Sequence, residues 1–414
     1  MSIYPKLGFL STAGWLSILC MSPAFPLVAQ FAYTTNMSAV TVKEYTGPGG
    51  NVTIPGIIGG MPVIKIGGMA FAGRTDLTAV KISSNITAIE DYAFLGCTNL
   101  TSIAIPDDVT NIGNNAFSNC KSLPSIDIPR SVTRIGDWAF TTCKRLSDLR
   151  IPEGVSSIGT LAFGGCANLT NITLPSSLTN IGPQAFSGCH PVNISVHSLN
   201  PAYCIMDRNL YNKSRTSLIH FFGDGARSYE IPNSVTCIAD YAFFNCTNLT
   251  NITIPTTVTS IGEEAFSGCT GLSSLAIPDS VTNICGLAFK NCSRLTRITV
   301  PNSVTEIGVG AFSYCDSLAR LTLPNRLTSL NTAILYSCPS LLNITIPGSV
   351  TNIEMAVFHD CTNMVGLHFQ GNAPTLAAGA FKGLKKATIY YRSGTKGWGP
   401  TFGDCPTALE TSAE

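Results

Sequence analysis

The sequence predicts a repeat solenoid of short stacked parallel β-strands, about 14 turns long, with a β-hairpin inserted in the middle and a cap at each end. Three observations lead there. Residues 112–120 read IGNNAFSNC, and the phrase returns 23 positions later as IGDWAFTTC and again as IGTLAFGGC. Within each unit, apolar and polar residues alternate briefly and then meet a proline, as in TSIAIP, which marks a half-buried strand ending where the backbone loses a donor. The two ends of the chain depart from the beat, as terminal units must if they are to close a stacked core.

The phenylalanine of the recurring Ala-Phe pair falls at Phe71, Phe94, Phe117, Phe140, Phe163 and Phe186, then at Phe243, Phe266, Phe289, Phe312, Phe358 and Phe381, with Leu335 in the vacant step. Every step is 23 residues except the one from 186 to 243, which is 57. That long unit contains CIMDRNLY and SLIHFF, expected as two short strands around a polar turn at residues 212–216.

One unit reads CTNLTSIAIPDDVTNIGNNAFSNC. Ile103 and Ile105 are expected to point inward from a strand that Pro106 ends. Val109 and Ile112 form a second extended piece, Gly113 is expected to allow a sharp bend, and Ala116 with Phe117 fill the next corner. A single unit cannot bury its apolar side, so the units stack and their Phe rings form an interior column.

The consensus LTxIxIPxSVTxIGxxAFxxC resembles the BspA-like class of leucine-rich repeats over roughly residues 52–381. The resemblance implies a leucine-rich-repeat solenoid in an exported, bacterial-type surface protein with interaction or adhesion roles. The long unit resembles a long variant repeat of the class, which often reads Asp-Gly before its strand; here Asp207 is followed by Arg208.

The expected organisation is a signal peptide at 1–29, an N-terminal cap hairpin at 30–51, a first block of repeats at 52–189, the elongated repeat at 190–232, a second block at 233–384, and a C-terminal cap and tail at 385–414. The leader reading rests on a lone Lys6, an apolar run from Leu7 to about Met21 and small residues at Ala24 and Ala29. An uncleaved anchor is the competing reading. No later stretch is apolar for the 18 or more residues a membrane helix needs, so no membrane span is expected after signal removal. In the C-terminal cap, Trp398 is expected to fold over the exposed end.

Charged residues make up only 12% of the chain and the net charge is +1, which leaves no positive excess to neutralise phosphates and argues against a nucleic-acid partner. Cysteine returns on the beat at Cys97, Cys120, Cys143, Cys166, Cys189, Cys246, Cys269, Cys292, Cys315, Cys338 and Cys361. A metal cage needs ligands converging on one point, which a column of single residues does not offer, so no metal or other cofactor is expected. Stacked parallel side chains also point the same way, unlike the partners of a disulfide. Buried free thiols acting as small apolar residues are favoured over bridges. Cys204, Cys237, Cys285 and Cys405 lie off the column, and a Cys204–Cys237 bridge would pin the insertion.

None of the five histidines is paired with a Cys or Ser at a catalytic spacing, and no nucleophile elbow, zinc-protease helix or phosphate loop occurs. Candidate residues therefore lie on the exposed face of the main strands, five and seven positions after each column cysteine. Asp127, Asp148 and Arg150 are expected there as mutual neighbours, more in keeping with a surface ion-pair cluster than with a catalytic carboxylate pair. Arg297 and Arg320 stack as like charges, which either splay into water or share an acidic ligand. The expected function is a monomeric, secreted or cell-surface, non-catalytic scaffold that binds an extracellular protein or glycan. A polysaccharide-acting enzyme using the solenoid groove and a purely structural envelope protein are the alternatives.

Overall fold

Residues 28–410 are described, apart from Met37 and Asp224, by a computed structural model of the protein. The expected signal peptide lies almost wholly outside the described residues. The chain winds through about 15 stacked turns, one more than the beat suggested, because the cap strand Ala39–Tyr45 pairs in parallel with Met61–Ile66 and takes a rung of its own.

Two parallel ladders run along the solenoid. One carries the short strands such as Asn111–Ile112, in register with Ala88–Ile89 before it and Arg134–Ile135 after it. The other carries the strands of the main face, such as Ser102–Ala104 against Leu77–Lys81. The threonines that recur in the unit reinforce both. Thr110 donates its main-chain N–H and its hydroxyl to the Thr87 carbonyl at 2.9 and 3.3 Å, and Thr101 does the same to Thr78 at 2.8 and 2.9 Å.

The third side forms a corner without strands, where single backbone hydrogen bonds step to the following turn. Asn115 N–H reaches the Asp137 carbonyl at 2.8 Å, Phe117 reaches Ala139 at 2.7 Å and Asn119 reaches Thr141 at 2.8 Å. Asn115 and Asn119 have φ of 55° and 64°. The position two before each Phe is left-handed whatever its side chain, with Tyr92, Trp138, Leu161 and Glu264 among its occupants, so tertiary bonding overrides the usual steric preference there. The bend expected at Gly113 thus sits two residues later. Gly113 is needed for another reason: a Cβ there would stand 2.6 Å from the Asp91 nitrogen and the Glu90 carbonyl carbon of the preceding turn.

Inside the corner the rings stack nearly parallel, Phe94 to Phe117 at 5.3 Å and 2°, Phe117 to Phe140 at 5.2 Å and 7°. The cysteines are free throughout the described residues, Cys204, Cys237, Cys285 and Cys405 included. They do more than fill space. Cys143 donates its S–H to the Phe117 carbonyl at 3.2 Å, Cys166 to Phe140 at 3.2 Å and Cys292 to Phe266 at 3.2 Å, each a second donor to a buried carbonyl that also accepts a main-chain N–H from its own turn. Burial pushes the thiols up, Cys97 and Cys315 to about 12 and Cys120, Cys143, Cys269 and Cys292 well above the ordinary 9.0.

The long unit departs from expectation. CIMDRNLY is not one strand but a hairpin of Tyr203–Met206 and Asn209–Asn212. Asp207 and Arg208, at φ 48° and 62°, make the two-residue turn whose twist suits a hairpin even without glycine. Asn209–Asn212 then pairs antiparallel with Ser217–His220, giving a three-stranded meander in place of two strands, and Ser217–His220 rejoins the short-strand ladder against Cys237–Ile238. Fully buried Asn200 fastens the start of the meander, donating to the Pro175 and Leu178 carbonyls and accepting from the Ala202 and Tyr203 amides at 2.7–2.9 Å. The apolar core divides here. Leu210 and Phe222 pack into the N-terminal cluster while their chain neighbours Tyr211 and Phe221 pack into the C-terminal one, so the aromatic column jumps from Phe186–Phe222 to Phe221–Phe243.

At the N-terminal end, Phe31 and Tyr45 extend the ring column to Phe71. At the other end, Trp398 packs against Phe369, Tyr391 and Phe402 at 4.9, 5.5 and 5.2 Å.

Replacing Phe140 by Ala should cost about 3 to 5 kcal/mol in denaturant unfolding, the usual sum of transfer and cavity terms for a buried ring. A loss below about 1 kcal/mol would show that the column does not depend on its rings.

The eleven column thiols, all buried, should be inert to alkylation in the native protein and react once it is denatured. Their raised pKa values give a sign as well. An unfolded thiol ionises near 9.0 while Cys97 and Cys315 hold their protons to about 12, so this contribution is whole below 9.0 and is lost as pH rises from there toward 12. Urea midpoints that stay level across that window would contradict the buried-donor assignment.

Candidate binding face

On the main face, one buried aliphatic residue holds each strand to the core and the residues on either side of it look outward. Leu149 is buried between exposed Asp148 and Arg150, Ile298 between Arg297 and Thr299, and Leu321 between Arg320 and Thr322. Register therefore converts the repeat into two outward columns of small hydrogen-bonding groups with sparse charges. Some columns bond internally, as where Asn193 donates to the Asn171 side chain at 2.9 Å.

The expected acidic and basic cluster is only partly assembled. Asp148 and Arg150 share a strand that pairs forward with Asn171–Leu174. Asp127 is exposed on the turn before, but residues 124–128 form no strand. Pro124 stands where Thr101, Ser147 and Thr170 each donate an N–H to the preceding turn, and a residue without that donor interrupts the ladder. Ser147 N–H still reaches the Pro124 carbonyl at 3.1 Å, so the two turns stay adjacent, and no ion pair joins Asp127, Asp148 and Arg150.

The structure does bring Arg297 and Arg320 together. They are direct register partners on parallel strands, which places their Cα atoms about 4.8 Å apart. Both are exposed, and no carboxylate among the described residues lies within ion-pair distance of either.

Further along the same face lies a group that sequence spacing did not reveal. His368 Nδ1 is 2.9 Å from Glu410 Oε1, its ring stacks on Tyr390 at 4.9 Å and 12°, and Arg392 Nε is 4.0 Å from Glu410 Oε2. Glu410 comes from the C-terminal cap, beyond the periodic part of the chain. The only available signal was His368 in the outward column. This group pairs an acid with a base, and among the described residues no hydroxyl or thiol is hydrogen-bonded to His368 or to the Glu410 carboxylate. Among the described residues, no three His, Cys, Asp or Glu side chains converge as metal donors, and no helix is long and apolar enough to cross a membrane.

Comparison with known proteins agrees with this geometry. No curated protein matches the chain significantly. Among solved structures, the pneumococcal vaccine antigen PcpA is 21% identical with a TM-score of 0.68, over 92% of this chain and 97% of that one. A leucine rich cell surface protein from Faecalibacterium prausnitzii is 27% identical with a TM-score of 0.52, over 89% and 94%. A leucine-rich repeat protein from Bacteroides ovatus is 26% identical with a TM-score of 0.52, over 92% and 98%. Six copies of the BspA type leucine rich repeat region match at residues 64–193, 220–315 and 282–406. Periodicity, register and these matches together establish that the chain belongs to the BspA-type leucine-rich repeat family.

Proposed function

We propose that the protein is a non-catalytic scaffold, secreted or displayed at the cell surface, that takes an acidic protein or glycan on its main face. The observation that carries this reading is the Arg297–Arg320 pair, two like charges held in register with no counter-charge beside them. Side by side they repel, whereas a carboxylate or sulfate between them accepts charge-assisted hydrogen bonds from both. The leader-like N-terminus and the similarity to a cell surface protein of F. prausnitzii support the location. Sparse charge and the absence, among the described residues, of an assembled nucleophile and base favour binding over turnover, and the purely structural reading leaves the arginine pair without a use.

The double variant Arg297→Ser/Arg320→Ser, with serine as at Ser102 in the same column, should bind a sulfated glycan such as heparin at least about tenfold more weakly while keeping its unfolding midpoint. Binding to the parent protein should also weaken as salt rises, since exposed charges are screened over roughly 8 to 10 Å at physiological ionic strength. Equal affinity of parent and variant for heparin and for polyglutamate across a salt series would remove the arginine pair from the binding face.

A further inference from the structure

On the main face, the stack of rings beside the arginine pair ends at His368. This residue stands between Thr345 on the preceding turn and Tyr390 on the following one. Tyr390 covers one face of the imidazole at 4.9 Å and 12°. The other face turns toward exposed Thr345, whose side chain is too small to cover a ring. The next step of the stack therefore falls over Thr345. Arg320 and Thr322 bound this place on the far side, since their strand lies beside Asn343–Ile346. Two strand steps, roughly 10 Å, separate the backbone under Arg320 from that under Gly366. That is the depth of one flat ring set on edge between the imidazole and the guanidinium.

The imidazole is held in one orientation. Its Nδ1 lies 2.9 Å from Glu410 Oε1, and the other oxygen of that carboxylate is 4.0 Å from Arg392 Nε. A carboxylate only accepts, so Nδ1 carries a proton and Nε2 is the nitrogen left for another partner. Nε2 is aimed over Gly366, and Asn343 Oδ1 leans over the same residue. A Cβ at Gly366 would stand 2.7 Å from Nε2 and closer still to Asn343 Oδ1, so the missing side chain is what lets the two polar atoms converge. Neither has a hydrogen-bond partner among the described residues.

We propose that a hexuronic acid unit of a glycan occupies the place over Thr345. The C–H face of its pyranose ring packs on the open face of His368, its hydroxyls meet Asn343 Oδ1 and His368 Nε2, and its carboxylate takes two parallel N–H donors from Arg320. A pyranose combines an apolar plane with a polar rim, which is what a ring face edged by unpaired polar atoms and a guanidinium requires. An acidic peptide side chain reaches the arginine but brings no such plane, and an aromatic one brings the plane without the hydroxyls. The site deepens the acidic-ligand reading and rests on it at Arg320, whereas the imidazole, Asn343 and Gly366 supply the selection for a sugar.

The test is calorimetry and NMR on the full chain with methyl glucuronide, at concentrations on the order of 10 mM as befits a single sugar unit. Methyl glucoside serves as the probe without the carboxylate and acetate as the probe without the ring. The glucuronide should bind at least about tenfold more tightly than either, and its ring protons should show Overhauser contacts to the His368 imidazole. Gly366→Ala sets its methyl among the ends of two movable side chains, so it should keep the unfolding midpoint while weakening the glucuronide about tenfold and leaving polyglutamate binding unchanged. His368→Ala should weaken it as much, and if that variant loosens the cap, Gly366→Ala decides alone. Equal affinity for glucuronide and glucoside, equal affinity of the parent and Gly366→Ala for the glucuronide, or no contact to the imidazole would each overturn the proposal. Failure of the acidic-ligand reading registers separately, as equal polyglutamate binding by the parent and Arg297→Ser/Arg320→Ser.

Discussion

The hydrogen bond from the corner Phe amide to the carbonyl just before the next turn's ring, Ala in most turns, is the constraint on which the regular solenoid depends. At 2.7 Å from Phe117 to Ala139, it draws successive corners together until their rings stack and a Cβ at Gly113 has no room. Keeping that bond while the chain reverses direction forces a left-handed residue two places before the ring, even at Trp138 or Leu161. The Phe carbonyl accepts from the cysteine N–H of its own turn, and the cysteine thiol of the next turn adds a second donor. Ring, glycine, cysteine and strained corner are thus four consequences of one repeated bond.

Much of this fold was legible because a 23-residue period with alternating hydropathy has few physical solutions. What escaped the reading were polar contacts between residues 23 or 26 apart, such as the doubled donation of Thr110 to Thr87 and the thiol donors, since hydropathy patterns carry no record of who bonds to whom. The meander was missed because Asp207 and Arg208 lack the glycine that usually announces a two-residue turn. On the face, period alone aligned Arg297 with Arg320. It did not show that Pro124 interrupts the ladder beside Asp127, and it could not reach Glu410, since the cap has no period to extrapolate.

The face is flat because register holds its columns level, and it discriminates through the few charges set on it.

The divided core has a mechanical meaning. In a stacked array each turn is stabilised by its immediate neighbours, so cooperativity extends only as far as the chain of contacts is unbroken. Between Leu210 and Tyr211, and again between Phe221 and Phe222, adjacent residues commit to opposite clusters, and the ring column is carried across by tilted contacts in place of parallel ones. Disorder spreading inward from either terminus therefore meets a boundary at the meander. The protein should behave under load or heat as two coupled segments of comparable length, one able to open while the other keeps its rungs.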